Sequence, residues 1–353
     1  MPPKSKTTSS KKSLGQFYTT NYEYILQNVF IPDNVLTIIE PFAGNGDLLK
    51  FIEKNKYIVE CYDIDPKHSY IIQQDTLLNP PSLNEKFVIT NPPYLARNKS
   101  DDKDLFNKYK TNDLYKCFIH LLIQSNCLGG ILIVPLNFIS SVRKSDVELR
   151  QRFIAKYDII IMNVFEEQVF VDTTCTICCF QFEPKKEALM SEENEINCYV
   201  YPSKTNIKFA LNSTNNYTLG GEIYNLEQTT FYKIDRATKL FDCRTNFTNI
   251  GVKCIDDTAT NQIRLFLVKT DEMDKYIDST LNLSSRSYAL LIIEPQIAIE
   301  KQEKLIEQFN EFITIHREKY NSLFLTNYRE NSRKRISFGL VYEICNYLLT
   351  QIE

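Results

Sequence analysis

The chain has 353 residues, 43% of them hydrophobic, and sets 41 Lys and Arg against 44 Asp and Glu for a formal net charge of -3. That length calls for two domains, and the apolar content is enough to build sizeable cores. The charge balance excludes a uniformly basic nucleic-acid binder, so phosphate contacts would have to come from local patches.

Lys4, Lys6, Lys11 and Lys12 lie in a Ser/Thr-rich stretch without acids, and residues 1–14 are expected to form a disordered basic tail. The N-terminal region holds no apolar run of the kind that makes a signal peptide or membrane span, and the ten cysteines follow no framework spacing. An intracellular, reduced protein is the expectation. Cys175, Cys178 and Cys179 are close enough to suggest a metal site, but no second ligand pair completes a tetrahedral zinc, so they are read as buried strand residues and no metal is expected.

From Val35 to Ile39 runs a β-branched segment that ends at Glu40-Pro41 and opens into Gly44-Asn45-Gly46, a strand followed by a tight turn. A helical stretch over Asp47–Lys54 then leads to strands at Tyr57–Asp63, Phe87–Thr90 and Ile131–Pro135, with a helix over Asp113–Cys127. This alternation predicts an α/β fold built on a parallel sheet. Ile159–Val164 and Thr174–Phe182 follow one another without room for a crossover helix, which predicts an antiparallel hairpin at one edge of the sheet. The charged stretch Glu183–Asn197 reads as a linker, giving domains at 15–197 and 198–353. In the second, helices are expected over Gln296–Tyr320 and Gly339–Ile352, with Leu305, Phe309, Phe312 and Ile313 as an apolar stripe.

Ligands of open α/β sheets bind beyond the carboxyl ends of the strands, where an acid can hold ribose hydroxyls. Asp63 occupies such a strand end, and Asp75, after Ile71-Ile72, is placed to accept from an adenine amine. The sharpest feature is Asn91-Pro92-Pro93-Tyr94, directly after Phe87–Thr90. Consecutive prolines fix the backbone and remove two N–H donors, leaving outward carbonyls. An exocyclic NH2 has two donors, which the Asn91 side-chain oxygen and the Pro92 carbonyl can accept while Tyr94 stacks on the ring. The arrangement suits methyl transfer to a planar amine without metal or covalent intermediate.

The order Gly15-Gln16-Phe17-Tyr18-Thr19-Thr20, Glu40-Pro41-Phe42-Ala43-Gly44-Asn45-Gly46 and Asn91-Pro92-Pro93-Tyr94 resembles the gamma group of N6-adenine-specific DNA methyltransferases, as found in type II restriction-modification systems. The resemblance covers residues 13–182; residues 198–353 correspond by position and length only. It implies a Rossmann-like class I methyltransferase sheet with a terminal antiparallel hairpin, plus a C-terminal α+β target-recognition domain. It implies S-adenosyl-L-methionine as cofactor, with Thr19 and Thr20 against its methionine part, Glu40, Pro41, Phe42, Ala43, Gly44 and Gly46 as its loop, Asp63 on the ribose and Asp75 on the adenine. Asn91, Pro92, Pro93 and Tyr94 would be catalytic, with Phe170 packing on a flipped base opposite Tyr94, and Phe165 as the competing aromatic. Flipping is required because N6 cannot reach an enclosed cofactor from inside a stacked duplex.

The resemblance also implies double-stranded DNA as partner, a monomeric enzyme, and room for functional pairing with a restriction endonuclease. Asn45 and Asp47 depart from the usual residues around the glycines, and Thr76 replaces the apolar residue that often flanks the cofactor adenine. A glutamine-amide protein methyltransferase and an RNA adenine methyltransferase use the same tetrapeptide chemistry, and a DNA-binding protein without catalysis is the non-enzymatic alternative. The stretch from Tyr320 to Phe338, with Arg329, Arg333, Lys334 and Arg335 among aromatic residues, is the expected phosphate-contacting segment.

Overall fold

Short runs of β-branched and aromatic residues form the strands of a nine-stranded sheet. They are β1 (Thr37–Glu40), β2 (Ile58–Asp63), β3 (Ile72–Gln73), β4 (Phe87–Thr90), β5 (Gly130–Pro135), β6 (Tyr157–Phe165), β7 (Ile177–Pro184), β8 (Glu195–Tyr201) and β9 (Thr205–Ala210). The computed structural model describes residues 15–53, 55–185, 195–238, 247–256, 260, 262–277, 287–325 and 334–352. Two compact units divide the chain after Ser213.

In the first unit the sheet order is β3-β2-β1-β4-β5-β7-β6-β8-β9. β1 pairs in parallel with both β2 and β4, and β4 with β5. β7 is inserted antiparallel between β5 and β6. The central strands β4 and β5 are buried along their whole length, as their unbroken apolar runs require. Flanking them are α1 (Tyr22–Ile25), α2 (Asp104–Tyr109), α3 (Leu114–Gln124), α4 (Asn137–Ser140) and α5 (Lys144–Lys156). One face is sealed by a cluster that includes Ile38, Phe87, Ile89, Ile131, Ile133, Phe165 and Phe170.

Polar anchors also hold the helices. The Lys116 ammonium on α3 lies 2.6 Å from the Asp146 carboxylate on α5, both side chains almost wholly buried. Arg150, fully buried, donates to the carbonyls of Phe138 and Ser141 at 2.7 and 3.0 Å. Removing one partner of such a buried pair costs about 3–5 kcal/mol because the other charge is left uncompensated.

The sheet differs from the sequence expectation in where it ends. The antiparallel pair β6–β7 forms, but it is internal, because β8 joins β6 in parallel and β9 closes back on β8. The first unit accordingly runs past residue 197 to Ser213. The physical cause is the alternation in β8, whose Ile196, Cys198 and Val200 are buried while Glu195 and Asn197 are exposed. Cys178 and Cys179 are buried in β7, where desolvation pushes both thiols up and keeps them neutral. The expected helix over Asp47–Lys54 is a single 3-10 turn, Leu48–Phe51. Residues 1–14 fall outside the described residues.

The second unit has a four-stranded antiparallel sheet of β10 (Lys233–Arg236), β11 (Phe247–Lys253), β12 (Arg264–Leu267) and β13 (Tyr288–Glu294), in the order β10-β13-β11-β12. Two helices accompany it, α6 (Ile299–Tyr320) and α7 (Phe338–Leu349). On α6 the stripe Leu305, Phe309 and Ile313 is buried and Phe312 half-buried. The Ser337 hydroxyl caps α7 by accepting from the Leu340 N–H at 3.1 Å. Among the described residues no helix is long and apolar enough to cross a membrane.

Candidate active site

The chain leaves β1 toward β2 and β3 on one side, while β4 and β5 lie on the other, so the sheet order reverses between β1 and β4. A crevice forms beyond the carboxyl ends of strands at such a switch point. Here it contains about 950 Å³ of empty space, part of it open to solvent. Its walls are Gln16, Phe17 and Tyr18, then Phe42 and Gly44 after β1, Asp63 on β2, Asp75 and Thr76 beyond β3, Asn91 and Pro93 after β4, and Leu105, Phe106 and Leu114.

The glycine loop is held by its own backbone and by Asp63. The Ala43 N–H donates to the Tyr62 carbonyl at 2.8 Å, and the Gly44 N–H to Asp63 Oδ2 at 2.7 Å. Gly44 and Gly46 have φ of 52° and 72°, in the left-handed region, and a Cβ on Gly46 would stand 2.7 Å from the Tyr70 hydroxyl. Asp63 Oδ1 accepts from the Asp65 N–H at 2.8 Å and from the Gln16 amide at 3.3 Å. Its carboxylate thus braces the loop as well as facing the crevice. Asp75 Oδ1 accepts from the N–H groups of Leu77 and Leu78, and the Thr76 hydroxyl donates to the Pro41 carbonyl at 2.7 Å.

Glu40 is 1% exposed at the end of β1. Its Oε1 accepts from the Phe42 N–H and the Thr90 hydroxyl, tying the ends of β1 and β4 together. Its Oε2 is buried without a partner. Desolvation pushes the carboxyl up to about 8, more than the two hydrogen bonds lower it.

The Asn91–Tyr94 loop is fastened to the N-terminal segment. The Tyr94 N–H donates to the Gly15 carbonyl at 2.9 Å, and Gly15, at φ 67°, has Tyr94 O only 2.8 Å from where a Cβ would be. The Asn91 amide donates both hydrogens, to the Phe17 carbonyl at 2.8 Å and the Thr19 hydroxyl at 3.1 Å. With its donors committed, Asn91 presents only its oxygen, which also accepts from the Tyr94 hydroxyl. Burial raises the Tyr94 phenol well above its ordinary value, so it stays neutral.

Around this loop the aromatic rings stack. Phe17 lies 5.2 Å from Tyr94 and 6.1 Å from Phe170, ring centre to ring centre. Phe170 is buried behind Phe17, outside the crevice wall, and Phe165 is fully buried in the core against Tyr24 and Tyr201.

Of the residues read from sequence, Phe42, Gly44, Asp63, Asp75, Asn91 and Pro93 line one crevice. Thr19, Glu40 and Ala43 are buried beneath it, Thr20 is exposed on the turn that follows, and Pro92 is buried. The wall from Leu95 to Leu114 went unrecognised, as did Gln16, Phe17 and Tyr18 as lining residues. The available signal was the apolar triplet Leu105, Phe106 and Leu114 just downstream of the tetrapeptide. The basic segment of the second unit is described only in part, since Arg329 and Arg333 lie outside the described residues. Lys334 and Arg335 sit on a short backbone bridge, with the Asp256 N–H donating to the Lys334 carbonyl at 3.0 Å and the Ile336 N–H to the Cys254 carbonyl at 3.1 Å.

The charge of the crevice fits a cationic ligand. Asp63, Asp75 and Asp102 line it and no Lys or Arg does. A phosphate-bearing cofactor would meet three carboxylates there, whereas an ammonium or sulfonium would meet opposite charge. The residues therefore fit S-adenosyl-L-methionine.

A large, mostly parallel sheet with an antiparallel β7 between β5 and β6, and a crevice at the β1–β4 switch, resembles the architecture of the class I methyltransferases. Residues 33–170 match the family model described as Eco57I restriction-modification methylase. That stretch holds β1 to β6 and the crevice loops. No curated protein matches the chain. Among solved structures it is similar to that of the DrdV–DNA complex, at 15% identity and a TM-score of 0.43 over 70% of this chain and 36% of that one. It is also similar to a type I restriction-modification methyltransferase subunit from Streptococcus thermophilus, at 13% identity and a TM-score of 0.38 over 53% and 47%. The M protein of the type I enzyme EcoKI gives 14% and 0.38 over 88% and 74%. The chain thus spans less than half the length of the first two.

Proposed function

We propose that this chain transfers a methyl group from S-adenosyl-L-methionine to the N6 amine of an adenine turned out of double-stranded DNA. The observation that carries the reading is the Asn91–Tyr94 loop, which points an acceptor-only amide oxygen and a proline-fixed backbone into an acidic crevice. An exocyclic amine has two N–H groups to give, and Asn91 Oδ1 with the Pro92 carbonyl would take both. Held in that way, the nitrogen lone pair is directed out of the amine plane instead of into the ring. The cofactor supplies the electrophilic methyl on its sulfonium. Asp63 and Asp75 hold its adenosine, and the Gly44–Gly46 turn receives its charged end, with buried Glu40 bracing that loop through the Phe42 N–H. The Phe17 ring, stacked on Tyr94, would offer the crevice face against which the base stacks, with Phe170 supporting Phe17 from behind.

The second unit, from Thr214, would supply sequence recognition, as the gamma-group resemblance implies. Glutamine-amide methylation and RNA methylation need the same acceptor pair, and the substrate decides between them. Tritium transfer from labelled cofactor to duplex DNA, RNA and protein is expected to label DNA, with the label recovered as N6-methyladenine. Label found only in protein or only in RNA would overturn the assignment.

A further inference from the structure

A second depression lies beside the crevice in the same unit, and Phe106 forms part of the wall of both. Its other lining residues are Arg97, Asn107, Lys110, Thr111, Asn112 and Ser145. No carboxylate is among them. The two cations are accompanied by two amide side chains whose hydrogen-bonding sense is fixed by cations, one within the depression and one beneath it. The Arg97 guanidinium donates to Asn107 Oδ1 at 2.7 Å, so the Asn107 amide nitrogen keeps its hydrogens for another acceptor. Below, the buried Lys116 ammonium donates to Asn112 Oδ1 at 2.8 Å, which uses the carbonyl side of that amide as well. Thr111 and Ser145 add hydroxyls. Asp102 lines the crevice instead, and Asp146, next to Ser145, is paired with Lys116.

Two cations and two amides turned to donate make a receptor for an anion with several acceptor oxygens. The neighbouring crevice has the opposite character, three carboxylates and no cation, and Phe106 lines both. Resting on the methyltransferase reading above, we propose that this depression is a phosphate site, and that it takes a backbone phosphodiester of the DNA strand whose base enters the crevice. The polyanion would be held on the basic side of Phe106, with the cationic cofactor kept on the acidic side.

The test uses the full chain, a labelled duplex and inorganic phosphate. Arg97→Ala with Lys110→Ala is expected to weaken duplex binding several-fold and to make log K against log salt shallower by about one, the slope of one phosphate contact. Asn107→Asp keeps a partner for Arg97 while placing a carboxylate in the depression, and it is expected to weaken binding in the same direction. KM for DNA should rise in both variants, with cofactor affinity held at the wild-type value. Affinity and salt slope equal to wild type in both variants would overturn the proposal. Inorganic phosphate that shifts the Asn107 and Asn112 side-chain amide resonances, with duplex binding unaffected by the substitutions, would overturn it too, by assigning the depression to a free anion. The methyltransferase reading fails separately, through wild-type protein that labels no DNA.

Discussion

Gly15→Ala is a small change far from the reacting atoms in sequence, yet it acts on the tetrapeptide directly. An alanine Cβ would stand 2.8 Å from the Tyr94 carbonyl oxygen and 2.9 Å from its carbon, where ordinary contact begins near 3.4 Å, so the two segments must part by about half an ångström. The left-handed backbone at φ 67° adds about 1–2 kcal/mol for a residue with a Cβ. Lengthening the 2.9 Å bond from the Tyr94 N–H to the Gly15 carbonyl costs about 1 kcal/mol more. A displacement of 1 Å in a catalytic group costs about 100-fold in rate, so half of that is expected to lower the methyl-transfer step about tenfold. Single-turnover transfer at saturating cofactor measures that step, and calorimetry with cofactor alone measures what is left of the crevice. A variant with wild-type single-turnover rate would refute the claim that the Gly15 contact sets the position of the Asn91–Tyr94 loop.

Asn91→Ala is expected to lower turnover by orders of magnitude with cofactor affinity nearly intact, because its oxygen acts on the target amine; a wild-type rate would remove it from the mechanism. Asp63→Ala should weaken cofactor binding by about 1.5–3 kcal/mol. The same substitution leaves the Gly44 and Asp65 N–H groups without their acceptor, so the melting temperature should fall as well, and unchanged cofactor binding would take Asp63 out of the site. Glu40 gives a pH dependence: its folded-state value is raised from 4.5 to about 8, so the stability it contributes is complete below about 4.5 and is lost as pH rises through about 8. Denaturant midpoints between pH 5 and 9 should fall more steeply for wild type than for Glu40→Gln, and parallel curves would show that the carboxyl is not held protonated.

Local patterns announced the parallel core, because β1, β2, β4 and β5 are short apolar runs set between turn residues and helices. The tetrapeptide was visible because two prolines after a strand have few other uses. β8 was hidden for a different reason. Its alternation of Ile196, Cys198 and Val200 begins inside a charged stretch that resembles a linker, and its partner β6 lies some thirty residues earlier, so only pairing across the sheet reveals it. The crevice wall at Leu105, Phe106 and Leu114 was equally silent, since apolar residues near helix starts look alike whether they face a core or a ligand. The double role of Asp63, and the fixing of Asn91 by Phe17 and Thr19, are properties of distance and have no counterpart in residue type.

The position of β7 has a consequence for the order in which the chain can be built. β5 and β6 both lie beside β7, so once residue 165 has been made the sheet ends at β5, and β6 still lacks both of its neighbours, β7 and β8. Only when Ile177–Pro184 arrives can the strand join β5 to β6, pairing with one neighbour some 47 residues back and the other about 20. A truncation at residue 170, where the family match stops, would leave the buried apolar backbone of β5 with one side unpaired, which is the condition for intermolecular strand pairing. Extension to residue 213 adds β7, β8 and β9 and moves the exposed edge to β9, where Lys208 and Glu195 are paired at the surface at 2.9 Å. Nascent chains arrested at 170 should therefore be sticky and protease-sensitive, and those arrested past 213 resistant.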